Sequence, residues 1–208
     1  MTATATHASD LVVEAPPAAV GNPAMIGVPT FIVGSIALGL VLVGYVPATA
    51  AGASIPIIMT ATGLGQVIAA VWAANLAQNA VASVFGIFAG FWLSYAALVI
   101  GLTHNWFGIK PADAVATQKL FLLTWLIAVV VLTLVSLRLP LAFTVLFVLV
   151  DLALLFVFLG TANASTGLTK VGGFFVFSFV AVGVYLFVGA MDEETGGKGL
   201  PLGNPVRH

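Results

Sequence analysis

The sequence predicts an all-α integral membrane protein, six transmembrane helices in one compact bundle. Two observations predict it. Of 208 residues, 61% are hydrophobic and only 6% are charged, whereas a soluble domain carries roughly 25% charged residues. The apolar residues also fall into six runs, each close to the ~20 residues a helix needs to cross the hydrocarbon core.

The runs are Met25–Tyr45, Ser54–Trp72, Ala80–Leu102, Gln118–Leu137, Leu141–Gly160 and Val171–Met191. The segments between them are GYVPATAAGAS, AANLAQN, THNWFGIKPADA, SLRLP and TANASTGLTK, rich in Pro, Gly and Asn and holding much of the charge, as turns should be. They are too short for an extramembrane domain, so function is expected inside the membrane. The chain divides into a mobile N-terminal tail (1–21), a six-helix domain (22–191) and a short C-terminal tail (192–208). The first twenty residues hold no Lys or Arg and no proper apolar core, and are expected to be a tail and not a signal peptide. Six spans put both termini on one side. That side collects Arg138, Lys198 and Arg207, and the other Lys110, Lys119 and Lys170, so the positive-inside count is tied. Tyr45, Trp72, His104 and Trp106 fall near span ends, where amphipathic rings anchor at the interface.

Net charge is −1, which gives no polyanion-binding surface and no nucleic-acid partner. Cysteine is absent, excluding disulfides and thiolate-bound metal. The three histidines, at positions 7, 104 and 208, lie at ends or edges. No catalytic set, metal site or phosphate loop appears, and neither an enzyme nor a cofactor is expected.

Small residues recur inside the spans: Gly34, Ser35, Gly39 and Gly44 in the first, Gly63 and Gly65 in the second, Gly86 and Gly90 in the third, Gly183 and Gly189 in the sixth. Lipid supplies no hydrophobic force between helices, so small residues that let backbones approach are expected at their contacts. They would equally suit a pore wall with exposed carbonyls. Two polar residues stand out at membrane depth. Asp151 lies eleven residues past Pro140, about 16 Å along a helix. A carboxylate there costs roughly 2.5–3.5 kcal/mol on insertion scales. It must face a wet cavity, pair, or stay protonated, either to carry a proton or to make one hydrogen bond between helices. Gln66, near Thr60 and Thr62, offers two donors and an acceptor, for a carboxylate, a water column or a neighbouring helix. Asn75, Gln78 and Asn79 fall in a connection, where polar side chains are expected.

Several stretches together resemble the acetate uptake transporter family, which includes bacterial succinate–acetate permeases and fungal acetate permeases. Asn22-Pro23-Ala24 followed by Gly27 resembles its N-P-A-P-L-G-L signature. GLGQVIAAVW and GIFAGFWLSYAALVI resemble its second and third spans, LLFVFLGTAN the end of its fifth, and VYLFVGAMDEE with LPLG its last span and tail. The similarity runs from Asn22 to Gly203 in matching order. It implies a homohexamer with one solute path per protomer, moving acetate and similar small monocarboxylates, succinate in some members, as a channel or a proton-coupled symporter. It also implies a constriction of Phe, Tyr and Leu, which falls here on Phe31, Phe88 and Val150. Phe88 lacks the phenol hydroxyl and Val150 is smaller than Leu. Met25 replaces the signature's second Pro, and Ala73 and Asn75 stand among neutral residues where the family carries Glu and Lys.

Physical chemistry then gives the expected mechanism. An apolar ring cannot replace an anion's water shell, so a bare carboxylate would cross at heavy cost. The neutral acid, or anion and proton meeting at the ring, crosses more easily, with Asp151 beside Val150 as the expected proton donor. Pro23 and Gly27 at a helix start suggest a vestibule of Asn22, Pro23, Ala24, Gly27 and Gln66, in which free N–H groups gather an anion. A prokaryotic plasma membrane is the expected location. Two other readings stay open: a channel for a neutral solute such as ammonia or urea, and a non-transporting sensor or assembly subunit.

Overall fold

The structure is a computed structural model that describes residues 21–207; the remainder of the expected N-terminal tail lies outside them. Six helices long and apolar enough to cross a membrane are present. They are α1 (Ala24–Val43), α2 (Leu64–Asn75, with the turns that precede it), α3 (Asn79–Thr103), α4 (Ala114–Ser136), α5 (Leu141–Ala162) and α6 (Thr166–Glu194), and no strand occurs among the described residues. The protein is a multi-pass membrane protein. The start of α1 and the end of α6 share one face of the bundle, here the terminal side.

Local chemistry sets the helix ends. Gly44 closes α1 in the left-handed region, with φ 87°, where glycine escapes the Cβ penalty. Its N–H donates to Val41 and that of Tyr45 to Leu40, the Schellman pattern. Ser165 opens α6 by accepting from the Leu168 N–H at 3.3 Å. α6 is also longer than its apolar run: 29 residues span about 44 Å. Hydropathy marks the part that fits the lipid, whereas the backbone ladder runs on into polar flanks until something caps it.

The second span departs from one uniform helix. A 3₁₀ turn, Ala48–Ser54, leads into a π-helical stretch, Ile57–Gly63, before α2 begins. Pro56 supplies no N–H to the ladder, and the Thr60 hydroxyl donates to the Pro56 carbonyl, a back-bond that bends helices. The stretch packs tightly. A Cβ on Gly34 of α1 would collide with the Thr62 side chain, and one on Gly65 with Thr30. Glycine is needed there for close approach, and no glycine lines the central cavity among the described residues.

Around the bundle the helices touch in the order α4–α5–α6–α1–α2–α3, and the ring closes between α3 and α4 through aromatic side chains, Phe91 and Tyr95 against Phe121 and Trp125. Trp92, Phe147, Val129 and Val176, all nearly fully buried, belong to its apolar core. The C-terminal tail folds back across the terminal side. The Ala142 N–H at the start of α5 donates to the Leu202 carbonyl at 2.9 Å, and the Arg207 N–H donates to the Leu137 carbonyl at 2.8 Å. The Tyr185 hydroxyl donates to the Pro201 carbonyl at 2.7 Å. The tail thus satisfies backbone groups left over at the α4–α5 turn.

Candidate functional site

A cavity of ≈ 500 Å³ lies inside the ring of helices, within the range of roughly 300–1,000 Å³ usual for small-molecule sites. Its wall comes from α1, α3, α4, α5 and α6. On α1 it runs from Phe31 to Leu42, on α3 from Phe88 to Thr103, and on α5 from Val150 to Thr161. Eleven residues of helix are about 16 Å. The cavity therefore starts at mid-depth and extends to the face opposite the termini. That face carries Lys110, Lys119 and Lys170 against Asp113. The terminal side carries Arg138, Lys198 and Arg207 against Asp192, Glu193 and Glu194 among the described residues. The positive excess, three charges against one, is on the cavity side, and such a field draws anions.

The deep end is aromatic. Phe31 meets Phe88 edge-on with ring centroids 5.0 Å apart, Phe179 lies 5.4 Å from Phe31, and Phe147 stacks on Phe88 at 6.1 Å. Phe31, Phe88 and Val150 are each 5–6% exposed and all border the cavity. Three residues from three helices, singled out by the resemblance, thus meet at one level. Phe179 packs against Phe31 there, and Val129 borders the cavity as well. They lie in unbroken apolar runs of α6 and α4, where nothing in the sequence distinguishes them from core.

The terminal side of this ring is built differently. Gln66 is fully buried, and its Nε2 donates to the Gly27 carbonyl and to Thr30 Oγ1. Its Oε1 has no partner among the described residues. Pro23 is buried, and a Cβ on Gly27 would collide with the Phe85 ring. Gly27 and Gln66 are thus brought together, but Asn22, Pro23, Ala24, Gly27 and Gln66 all lie outside the cavity wall. The expectation of free N–H groups at the start of α1 is corrected. The Ala24 N–H donates to Asn22 Oδ1 at 3.1 Å, that of Met25 to the Asn22 carbonyl and that of Ile26 to the Pro23 carbonyl. A tight turn and the Asn22 side chain just before the helix consume the donors that the anion was to use.

Asp151 makes a hydrogen bond between helices, one of the two roles open to it in the sequence. One residue is about 100° around an α-helix, so Asp151 faces α4 while Val150 borders the cavity. Thr133 Oγ1 donates to Asp151 Oδ2 at 2.7 Å, and Oδ1 is buried without a partner among the described residues. Asp151 is not part of the cavity wall, so adjacency to Val150 in sequence does not put its carboxyl at the ring. No group of His, Cys, Asp and Glu suited to a metal ion occurs among the described residues.

Residues 5–196 match the sequence profile of the GPR1/FUN34/yaaH family. The chain belongs to that family. It is 30% identical over 163 residues to Accumulation of dyads protein 2 of Saccharomyces cerevisiae, covering 73% of this chain and 54% of that protein. Ammonia transport outward protein 2 of the same yeast is 28% identical over 163 residues, covering 73% and 55%. Acetate permease A of Emericella nidulans is 28% identical over 169 residues, covering 74% and 56%. The chain thus spans little more than half the length of these relatives. Its fold matches the structure of the bacterial acetate channel SatP with a TM-score of 0.78 and 20% identity, over 89% of this chain and all of that one.

In this member of the GPR1/FUN34/yaaH family, two cavity residues escape a sequence reading. Trp92 and Tyr95, on the face of α3 that carries Phe88, border the same cavity. Their i, i+4 and i, i+7 spacing from Phe88 was the available signal. Their position in an apolar span made them look like packing.

Proposed function

We propose that the protein transports acetate and similar short monocarboxylates across the membrane, with the acid passing the Phe31–Phe88–Val150 ring in neutral form. The observation that carries this reading is the cavity itself, wide and open to a lysine-rich face at one end and closed by buried aromatic rings at the other. A charged carboxylate would lose its hydration at the ring with nothing to replace it, whereas neutral acetic acid has a methyl group that the ring welcomes. The names of Acetate permease A and of the SatP acetate channel support the substrate class. Succinate must shed two charges and is a poorer substrate. Protons accompany the solute, taken up from solution at the cavity mouth, since Asp151 lies behind the wall. On the terminal side, Asn22, Pro23, Ala24, Gly27 and Gln66 form the closed end of the path, which opens when Gln66 parts from Gly27 and Thr30. The protein works as a hexamer in the plasma membrane, with the exposed apolar face of α4 (Leu120, Ile127, Val131 and Leu134) against lipid or a neighbouring protomer. It is a transporter and not an enzyme.

The test is uptake of labelled acetate into proteoliposomes, with and without an inward proton gradient. The expected result is saturable uptake that the gradient stimulates. Absence of acetate uptake by intact protein rejects the proposal. The name of Ammonia transport outward protein 2 favours a second reading, a conduit for neutral ammonia, which an apolar ring also suits. Ammonia flux that excess acetate leaves untouched would select it.

A further inference from the structure

We infer that Trp92 and Tyr95 form a carboxyl-recognition subsite at the deep end of the cavity, one turn short of the ring; the substrate class rests on the function proposed above. Trp92 follows Phe88 by four residues on α3, about 6 Å along the axis toward the open face. Its ring lies 6.2 Å from Phe31 and 4.9 Å from Phe91. A solute coming from the open face meets Trp92 just before it meets Phe31 and Phe88.

Trp92 is fully buried, yet its Nε1–H has no acceptor among the described residues. A tryptophan indole N–H is donor only, and leaving one unpaired in the interior is costly. A Phe would fill an aromatic core without that cost. Of the other polar groups of the wall, Gln118 lies in the first turns of α4, at the mouth and away from this depth. Thr103, Thr161 and Thr169 turn their hydroxyls to the carbonyls of Val99, Val157 and Ser165 on their own chain. Tyr95, three residues on from Trp92, stacks on Phe91 with ring centroids 6.3 Å apart. It also borders the cavity.

The pair makes chemical sense of Phe88. A phenylalanine at that position gives the ring no hydrogen-bond donor, so a carboxyl oxygen arriving there would be stripped of water and left bare. An N–H one turn earlier and an O–H two turns earlier supply donors without charge. They hold a carboxyl group in either protonation state while its methyl end leads into the ring. Trp92 is fully buried, so a solute reaches Nε1 when the neighbouring rings shift. The pair favours small solutes with an sp² oxygen acceptor.

The test replaces Trp92 with benzothienylalanine, which keeps the bicyclic shape and puts sulfur where the N–H was, with Trp92→Phe and Tyr95→Phe alongside. Acetate is the probe, read both as proteoliposome uptake and as ligand-dependent thermal stabilisation in detergent. Expected is a rise of about three- to tenfold in half-saturating acetate for each loss of a donor, in the range of one neutral hydrogen bond. The melting temperature without acetate should not fall for the benzothienyl variant, because no internal hydrogen bond is lost. Wild type that binds or moves acetate while the benzothienyl variant and Tyr95→Phe behave identically overturns the subsite. Trp92-dependent binding of acetate without flux keeps the subsite and rejects the transport reading. Wild type that neither binds nor moves acetate rejects both.

Discussion

The two halves of the bundle use the same kinds of residue for opposite ends. On the terminal side, glycines at 27 and 65 press side chains of neighbouring elements against backbone, and Gln66 knits α2 to α1 through the Gly27 carbonyl and Thr30. The polar groups of α1's first turn are spent on one another. On the opposite side the backbones of α3 and α4 stand farther apart, bridged by Phe91 and Tyr95 against Phe121 and Trp125, and large side chains border the cavity. Close-packed glycines occur in both halves, Gly160, Gly172 and Gly173 among them on the open side, but none borders the cavity among the described residues, where large side chains do. The difference teaches that a solute path in an apolar bundle is made where side chains are too large or too few to interlock. It is not made where glycine thins the wall.

The comparison breaks most severely if the terminal half is overpacked. Gly27→Val would drive methyl groups into the Phe85 ring, and an overpacked core site costs about 1–3 kcal/mol or more. Poor assembly and a lowered thermal transition in detergent are expected; a normal transition would mean that the close packing there is dispensable. Next in size is Phe31→Ala, which removes one wall of the ring that divides the halves. Butyrate uptake relative to acetate should rise several-fold in proteoliposomes, and an unchanged ratio would put the size filter elsewhere. Gln66→Leu tests the knit alone. Hydrogen bonds between membrane helices average about 0.6 kcal/mol, so a modest drop in melting temperature is expected with half-saturating acetate unchanged. A shift in half-saturation would move solute recognition into the terminal half. Smallest is Asp151→Asn, whose amide oxygen can still accept from Thr133. Gradient-stimulated uptake should persist, and its loss would bring Asp151 into the proton route despite its position behind Val150.

The fold was largely legible because hydropathy reports on the solvent directly: each span must satisfy its own backbone hydrogen bonds in lipid. The ends were less legible. The apolar run of the sixth span stops at Met191, whereas α6 runs on to Glu194, since ladder continuation and capping, not hydropathy, end a helix. Phe31, Phe88 and Val150 were reached through resemblance. Trp92 and Tyr95 were not, because an aromatic residue in an apolar helix carries no sign of whether its polar atom has a partner. Asp151 was legible in part: the sequence allowed a proton carrier or a hydrogen bond between helices, and the direction of its carboxyl depended on the rotation of α5.

By itself, the sequence determined that this chain crosses a membrane six times, where the crossings fall, and which residues are costly to bury. Those are properties of each segment against lipid. Only the tertiary structure decided that Gln66 closes a contact with α1, that the first-turn donors of α1 are spent, that Asp151 turns to Thr133, and that the tail seals the α4–α5 turn. The physical reason is that a helix offers every residue a direction, but only packing against its neighbours sets which direction is wall, which is cavity and which is lipid.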